Sequence, residues 1–474
     1  MRKGVAVLVV ICLSLVSFAQ QKNIEGNWLG TLDVGVKLRQ VFHFTKATND
    51  ILLGTMDSPD QGVKGIQCSS VILKGDSVLA EVAVIKASFA GLVLSESTIT
   101  GSWRQGQGAF ALTLKKVDEL PVQNRPQTPK PPFSYNLEEV GYDHADKTVH
   151  LAGTFTYPKQ GGPFPTAVLI TGSGQQDRDE TLFEHKPFAV IADALTKQGF
   201  AILRVDDRGV GKSTGEVANA TTADFAKDVE AGLDYLRTRP EADKNKMGLI
   251  GHSEGALIAA LVAAKNKDIN FVVMLAGPGV KGTILLADQA EDIMKSAGVS
   301  TEAAKAYRPF YLQMMNADVN SKDTAEVYNI AWKDYENWKK ITTQTQRQQI
   351  GYTNDETASK AIYGLVAQLC VPWVKYFLQT NPAEYIQQAQ AKVLALNGEK
   401  DLQVASKQNL AGIKAALQKN RSKTYVTKEL AELNHLFQTC KACTIAEYSQ
   451  LEETFSPVAL NEMINWLKTN VQGK

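Results

Sequence analysis

The stretch that decides the fold lies at residues 247–264 and reads MGLIGHSEGALIAALVAA. A short apolar run, residues 247–250, predicts a strand, and the Ala- and Leu-rich run after the pattern G-x-S-x-G predicts a helix. In this context a tight turn holds the Ser253 hydroxyl at a helix start, where the helix dipole favours developing negative charge. The two glycines leave room for the turn because they carry no Cβ atom. The pattern therefore predicts Ser253 as a nucleophile.

A serine hydroxyl needs a general base to accept its proton, and the candidates for this base are the histidines of the chain. For a nucleophile on such a turn the chain order is serine, then acid, then histidine, and only His435 follows Ser253. His252 is adjacent to the nucleophile and is expected to point away from it. His435, which follows a strand-like run at residues 424–430, is therefore the predicted general base. The six histidines are His43, His144, His150, His185, His252 and His435.

An acid must orient the imidazole and stabilise its protonated form. It is expected at the carboxyl end of the predicted strand 393–396, because α/β folds place functional groups there. Two carboxylates follow that strand, Glu399 and Asp401. Asp401 is the predicted acid and Glu399 the alternative, since either side chain can fill the role.

Two backbone N–H groups are expected to bind the oxyanion that forms during attack. One is the N–H of Glu254, the residue after the nucleophile, and the other belongs to the loop after the predicted strand 166–170. Within that loop Ser173 is the predicted donor and Gly174 the second choice. The charged residues at 175–180 are expected to lock the loop by ion pairs rather than to contact a substrate.

The rest of residues 135–474 alternates apolar strands with amphipathic helices. This alternation is typical of a parallel sheet covered by helices on both faces. It stops at about residues 279–391, a stretch too long for a simple crossover, which we interpret as a helical cap over the site. Its aromatic residues either fill the core of the cap or form a substrate pocket. They include Trp332, Tyr335, Trp338, Tyr363 and Trp373.

The first part of the chain has a different composition. Residues 24–117 contain short runs of β-branched and aromatic residues between turn formers, which predicts an all-β barrel or sandwich. Residues 118–134 are rich in proline and predict a stiff, extended linker. Residues 1–19 combine a positive start, an apolar run and small residues at a cleavage position. They predict a signal peptide, so the protein is expected to be exported, either periplasmic or extracellular.

Charge and cysteine content exclude several functions. Lys plus Arg total 51 and Asp plus Glu total 50, which gives no electrostatic reason to expect nucleic acid or an anionic membrane as partner. No later stretch is apolar and long enough to predict a membrane span. The C-x-x-C pattern at Cys440 and Cys443 indicates either a local disulfide or two inert thiols. A metal is not expected there because only His435 lies near as a further ligand.

Three motifs together resemble the α/β-hydrolase superfamily. They are DRGVGKS at residues 207–213, GHSEG at 251–255 and GEKD at 398–401, followed by a late histidine. The loop GSGQQDRDE at 172–180 is similar to that of bacterial secreted esterases with an N-terminal β domain. The resemblance implies an α/β-hydrolase fold, with a mostly parallel sheet, helices on both faces and a helical cap, preceded by a small all-β domain.

The same resemblance implies a serine esterase that acts on a small-molecule ester through an acyl-enzyme, without a cofactor. A serine peptidase on the same fold is the first alternative, because amides can use the same catalytic groups. A binding protein built on an inactive hydrolase is the second, and it is disfavoured because each catalytic position is filled. The sequence leaves the oligomeric state open.

Overall fold

A computed structural model describes residues 22–34, 37–47, 51–61, 63–106, 108–119, 123–321, 323–420 and 424–473. The predicted signal peptide, residues 1–19, lies outside the described residues. The chain divides into two compact units, Met1–Val122 and Gln123–Lys474.

The first unit is a nine-stranded antiparallel sheet in which consecutive strands are neighbours, except that the fourth and fifth strands lie at opposite ends of the strand order. The last strand pairs with the first. The sheet surrounds one apolar core that contains Trp28, Phe42, Phe89 and Trp103. These side chains are buried because alternate residues of each strand point to the same face. The strands are β1 (Gly26–Asp33), β2 (Lys37–Lys46), β3 (Leu52–Ser58), β4 (Val63–Gln67), β5 (Ser70–Lys74), β6 (Ser77–Val82), β7 (Ala87–Ser95), β8 (Thr98–Gln105) and β9 (Gly108–Val117).

The second unit contains an eight-stranded sheet in the order β10-β11-β13-β12-β14-β15-β16-β17. The strands are β10 (Tyr135–Asp143), β11 (His150–Pro158), β12 (Phe164–Ile170), β13 (Ala201–Val205), β14 (Ala242–His252), β15 (Phe271–Leu275), β16 (Lys392–Gly398) and β17 (Tyr425–Leu430). The sheet is mixed rather than parallel throughout, because β11 pairs antiparallel with both β10 and β13. The pairings from β13 to β17 are parallel.

Helices cover both faces of this sheet, and alternate strand residues bury against each layer. Val168 and Ile170 of β12 belong to the apolar cluster that includes residues of α2, α3 and α11, whereas Ala167 and Leu169 belong to the cluster that includes residues of α1 and α12. The period of two follows from the alternation of side chains along a strand. The helices are α1 (Pro187–Lys197), α2 (Thr222–Thr238), α3 (Glu254–Lys265), α11 (Ser406–Lys419) and α12 (Pro457–Leu467).

The segment between β15 and β16 is helical, and it builds a separate apolar core. Tyr335 and Trp338 are buried in that core, together with Phe310, whereas Tyr363 is exposed. The aromatic residues of this segment therefore mainly fill its own interior. Its helices are α4 (Gly282–Ser296), α5 (Thr301–Asn320), α6 (Thr324–Ile341), α7 (Gln344–Gln349), α8 (Asp355–Leu369), α9 (Pro372–Gln379) and α10 (Pro382–Ile386). We call α4 to α9 the cap.

The proline-rich stretch at residues 118–134 is not a spacer along its whole length. From Gln123 onward it belongs to the second unit. Arg125 is buried and donates hydrogen bonds to the carbonyls of Ser449 and Leu451 at 2.8 and 2.7 Å. Hydrogen bonds from the Arg125 side chain thus fix the end of this stretch that belongs to the second unit to the C-terminal region of the chain.

Two further features bear on the expectations from sequence. Cys440 and Cys443 form a disulfide, while Cys68 and Cys370 are free thiols. Over the part of the chain that the structure describes, no single helix has the length and apolarity to cross a membrane; the helices α8 and α9 reach both only as a pair, which is bent by 79°.

Candidate active site

Ser253 lies on a sharp turn between β14 and α3, and its φ is +53°. Its N–H donates to the carbonyl of Leu275 on the neighbouring strand at 2.8 Å. A Cβ atom at Gly251 would lie 2.1 Å from the carbonyl oxygen of Gly255, and one at Gly255 would lie 2.1 Å from that of Ile170. Only glycine fits at these two positions, as the sequence pattern predicts. The turn places Ser253 at the carboxyl end of the sheet.

His435 and Asp401 meet at the same edge of the sheet. The Nδ1 atom of His435 lies 2.8 Å from Oδ2 of Asp401, and both residues are buried. The other oxygen of Asp401 accepts the N–H groups of Gln403 and Val404, each at 2.8 Å. These donors fix the carboxylate, which in turn orients the imidazole with Nδ1 towards the acid. This leaves Nε2 of His435 as the nitrogen available for proton transfer.

The alternative acid, Glu399, points elsewhere. Its carboxylate accepts the N–H of Glu432 at 3.2 Å and pairs with Lys400 at 3.3 Å, and it is partly exposed. The structure therefore brings Asp401, and not Glu399, to His435.

The two predicted oxyanion donors belong to residues in contact, because Ser173 Oγ donates to the Glu254 carboxylate at 2.8 Å. Ser173 and Glu254 both line the cavity that contains Ser253. Neither backbone N–H has a protein acceptor within the ranges described above, so both can donate to a ligand. The neighbouring Gly172 N–H is already used, since it donates to the Glu180 carboxylate at 2.8 Å.

The side chain of Glu254 has a role that the sequence did not indicate. Its buried carboxylate accepts three hydrogen bonds: from Thr222 Oγ1 at 2.7 Å, from Ser173 Oγ at 2.8 Å and from Trp373 Nε1 at 2.8 Å. Burial raises the pKa of this carboxyl, although these hydrogen bonds oppose the rise. Glu254 thus joins the nucleophile turn to the loop of Ser173, to the start of α2 and to the cap.

His252 also contributes more than its position beside the nucleophile suggests. Its Nδ1 lies 2.9 Å from Glu180 Oε1 and its Nε2 lies 3.0 Å from the carbonyl oxygen of His435. Both partners are hydrogen-bond acceptors, an arrangement that favours the protonated ring. Burial by itself lowers the pKa of His252, but the Glu180 carboxylate and the His435 carbonyl raise it overall.

The contacts of His252 join three functional segments. Glu180 holds the loop of Ser173 through the Gly172 N–H, and His252 holds the backbone of His435. Glu180 and His252 are 72 residues apart in sequence, so no local pattern could reveal this pair. The loop of Ser173 is also locked by Arg178 and Asp206 at 2.7 Å, as its charged sequence predicts.

A cavity of about 410 Å³ lies at this edge of the sheet. Ser253, His435, Ser173 and Glu254 line it. The cap also contributes to its wall, so Ser253 and the cap border the same cavity. The cap residues in its wall include Leu286, Tyr311, Leu365, Leu369 and Trp373.

Sequence comparisons relate the chain to known proteins. The family model described as serine aminopeptidase, S33, matches residues 184–436, which is more than half of the chain. The esterase EstD of Thermotoga maritima is 33% identical over 168 residues, a match that spans 35% of this chain and 39% of EstD. The uncharacterized protein PA2218 of Pseudomonas aeruginosa is 25% identical over 145 residues, which span 30% of this chain and 38% of that protein. The chain thus spans well under half the length of these two relatives.

Solved structures align with the chain at low sequence identity. The esterase Pf2001 of Pyrococcus furiosus aligns with a TM-score of 0.42 at 16% identity, over 71% of this chain and 92% of that chain. The crystal structure of PA2218 aligns with a TM-score of 0.41 at 16% identity, over 74% of this chain and 98% of that chain.

Proposed function

The chain belongs to the serine aminopeptidase S33 family of α/β hydrolases, and from this premise we propose that it hydrolyses carboxylic esters through Ser253, His435 and Asp401. The observation that carries the proposal is the 2.8 Å contact of Asp401 with His435, which lines the same cavity as Ser253. The relation to EstD, an esterase, supports the choice of substrate class.

The geometry supports a two-step reaction. Ser253 Oγ attacks the ester carbonyl carbon while His435 Nε2 takes its proton. The oxyanion accepts the N–H groups of Ser173 and Glu254, and the protonated His435 then gives its proton to the departing alcohol. A water molecule, activated by His435, attacks the acyl-enzyme and releases the acid.

The family name raises the question of whether the substrate is a peptide with a free amino terminus. Such a cation needs a carboxylate that is free to pair with it. Of the described residues in the cavity wall, only Glu180 and Glu254 are acidic, and both are already engaged: Glu180 with His252, and Glu254 with its three donors. The nearby Asp179 pairs with Arg204. The cavity therefore suits a neutral substrate, which favours esters.

The deciding experiment compares matched substrates. The value of kcat/KM is measured on an ester and an anilide that carry the same acyl group, and on amino-acyl anilides. We expect the simple ester to be cleaved fastest. Faster cleavage of amino-acyl anilides would replace the esterase with an aminopeptidase. A fluorophosphonate probe should label Ser253 in the folded wild-type protein; a folded protein that resists labelling and cleaves none of these substrates would instead be an inactive hydrolase with a binding role.

We also propose that the protein is exported. Support comes from the signal-like residues 1–19 and from the Cys440–Cys443 disulfide, because disulfides persist in oxidising compartments. Expression in a bacterial host, followed by cell fractionation and N-terminal sequencing, tests this proposal. A protein that stays in the cytoplasm with an intact N-terminus would contradict it.

A further inference from the structure

A second cavity lies beside the cavity that Ser253 lines, which we call the catalytic cavity. It has a volume of about 270 Å³ and lies at the carboxyl ends of β12 and β13. Gly172 and Trp373 line both cavities, so the two spaces share the loop of Ser173 and the cap as a common wall. Most of its remaining wall is apolar, with contributions from Val168, Ile170, Val205, Phe225, Val229 and Ile258.

The charged groups in the wall of this second cavity already have protein partners. Asp207 accepts the Thr171 hydroxyl at 2.7 Å and the Gln176 N–H at 2.9 Å. Arg208 makes two hydrogen bonds to Asp228, at 2.8 and 2.7 Å. Burial also raises the pKa of Asp207 to about 7, so this carboxyl is partly protonated at neutral pH. A ligand in the second cavity therefore finds mainly apolar contact.

Ester cleavage requires the alcohol group and the acyl group of the substrate to extend from Ser253 in different directions. The departing alcohol must lie beside His435, because His435 supplies its proton. The acyl chain stays on Ser253 and must leave the space beside His435 free for the alcohol and later for water. His435 lines the catalytic cavity but not the second one, whereas Gly172, next to the predicted oxyanion donor, lines both.

From this arrangement, which rests on the esterase function proposed above, we propose that the second cavity receives the acyl chain of the substrate. The substrate class is then an ester of a medium-length, unbranched fatty acid rather than an acetyl ester. A straight chain matches a cavity of this volume with apolar walls, since its affinity grows with each methylene removed from water.

Trp373 is the specificity-determining residue in this arrangement. Its indole is part of the wall of both cavities, and its Nε1–H donates to the buried Glu254 carboxylate at 2.8 Å. Because Glu254 is itself held by Ser173 and Thr222, the indole is fixed relative to the oxyanion donors. We therefore infer that Trp373 controls how far an acyl chain on Ser253 extends towards the second cavity.

The test uses a series of p-nitrophenyl esters from acetate to decanoate with variants that fill either cavity. Val217→Trp enlarges a partly exposed loop residue in the wall of the second cavity, and Val229→Phe enlarges a residue of α2 in the same wall. The matched control is Leu286→Trp, which fills the catalytic cavity from the cap. Thermal unfolding of each variant verifies that it is folded.

We expect the wild type to prefer hexanoate or octanoate over acetate by about ten-fold or more in kcat/KM. Val217→Trp and Val229→Phe should lower the ratio of octanoate to acetate by about ten-fold, whereas Leu286→Trp should lower both values together. Trp373→Ala should extend the accepted chain length.

Each contrary outcome has a distinct meaning. If the wild type cleaves none of the esters, the proposed function fails. If it cleaves them but prefers acetate, or if the two filling variants leave the ratio unchanged while folded, the assignment of the second cavity is wrong and the esterase function stands. If Leu286→Trp alone lowers the ratio, the acyl chain occupies the catalytic cavity instead.

Discussion

The loops at the strand ends and the cap face each other across one cavity, but they are built in opposite ways. We define the strand-end loops as residues 171–180, 251–255, 397–404 and 433–438. In these loops buried polar groups hold one another, whereas the cap holds itself together by an apolar core. Under the proposed function, the strand-end loops supply the catalytic groups at fixed positions, and the cap supplies the shape of the cavity.

The contrast is clearest in how buried groups find partners. Asp401 accepts two backbone N–H groups and contacts His435, and His252 has an acceptor at each ring nitrogen. In the cap, Phe310 and Trp338 stack at a centroid distance of 5.1 Å within the apolar core. A buried polar network loses function when one member is changed, while an apolar core tolerates substitutions that keep its volume. Substitutions in the two regions should therefore differ in the size of their effects.

The largest effect is expected at the nucleophile. Ser253→Ala removes the attacking oxygen and should lower kcat by about 10³- to 10⁶-fold, with the fold intact. The comparison on the cap side is Leu365→Ala, which alters the shape of the same cavity and should cost less than about ten-fold. Steady-state kinetics and circular dichroism on both variants measure this difference. Near wild-type activity in folded Ser253→Ala would remove the nucleophile from its role.

The second effect concerns the acid. Asp401→Asn replaces the carboxylate that orients His435 and should lower kcat by about 10⁴-fold, because the amide favours the wrong tautomer of the imidazole. Glu399→Gln is the matched control, since Glu399 contacts Glu432 and Lys400 rather than His435. It should stay within about two-fold of the wild type. Equal losses in the two variants would show that the acid role is not specific to Asp401.

Much of the arrangement of the strand-end loops could be predicted from the sequence because it follows local rules. The turn around Ser253 requires glycine on both sides, and parallel strands place their carboxyl ends at one edge. The strands and helices that carry Ser253, Asp401 and His435 lie where their apolar patterns predict them, with bounds that differ by a few residues. The antiparallel hairpin of β10 and β11 could not be predicted in this way, since its sequence lacks a clear apolar run.

Contacts between distant segments could not be predicted. The pairs Glu180–His252 and Glu254–Trp373 join residues 72 and 119 positions apart, and nothing local specifies them. Trp373 and Trp338 are both tryptophans of the cap, and the sequence does not distinguish their roles. In the structure Trp338 lies in the apolar core, whereas Trp373 reaches the site. The difference arises from tertiary packing, which cannot be predicted from amino-acid composition.

The third effect is expected from the network around His252. His252→Gln keeps one hydrogen-bond donor but removes the ring that joins Glu180 to the His435 backbone, so kcat should fall by about 10- to 100-fold. Because the pKa of His252 is raised in the folded state, protonation of His252 stabilises the folded protein. This contribution to the free energy of unfolding is fully present below the ordinary histidine pKa of about 6.5, and it is lost as the pH rises through the raised pKa.

The pH dependence of stability distinguishes this role. The melting temperature of the wild type, relative to that of His252→Gln, should fall as the pH is raised above about 6.5. Glu180→Gln, which removes the charge that raises the pKa, should show the same loss of pH dependence. Parallel melting curves for wild type and His252→Gln across this range would show that His252 does not titrate there.

The smallest effect is expected where the cap meets the strand-end loops, at Trp373. Trp373→Phe keeps an aromatic ring in the cavity wall and removes only the hydrogen bond of 2.8 Å to Glu254. A hydrogen bond to a buried charged group contributes about 1.5–3 kcal/mol, but Thr222 and Ser173 still hold the carboxylate, so the loss should be at the lower end of that range. We therefore expect kcat/KM to fall by about ten-fold or less, through KM more than kcat, because the chemical groups stay in place. The control is Tyr363→Phe, an exposed cap residue, which should leave both constants unchanged. A loss in kcat as large as that of Asp401→Asn would mean that the cap contributes to the chemical step itself. The proposal that the cap only shapes the cavity would then be wrong.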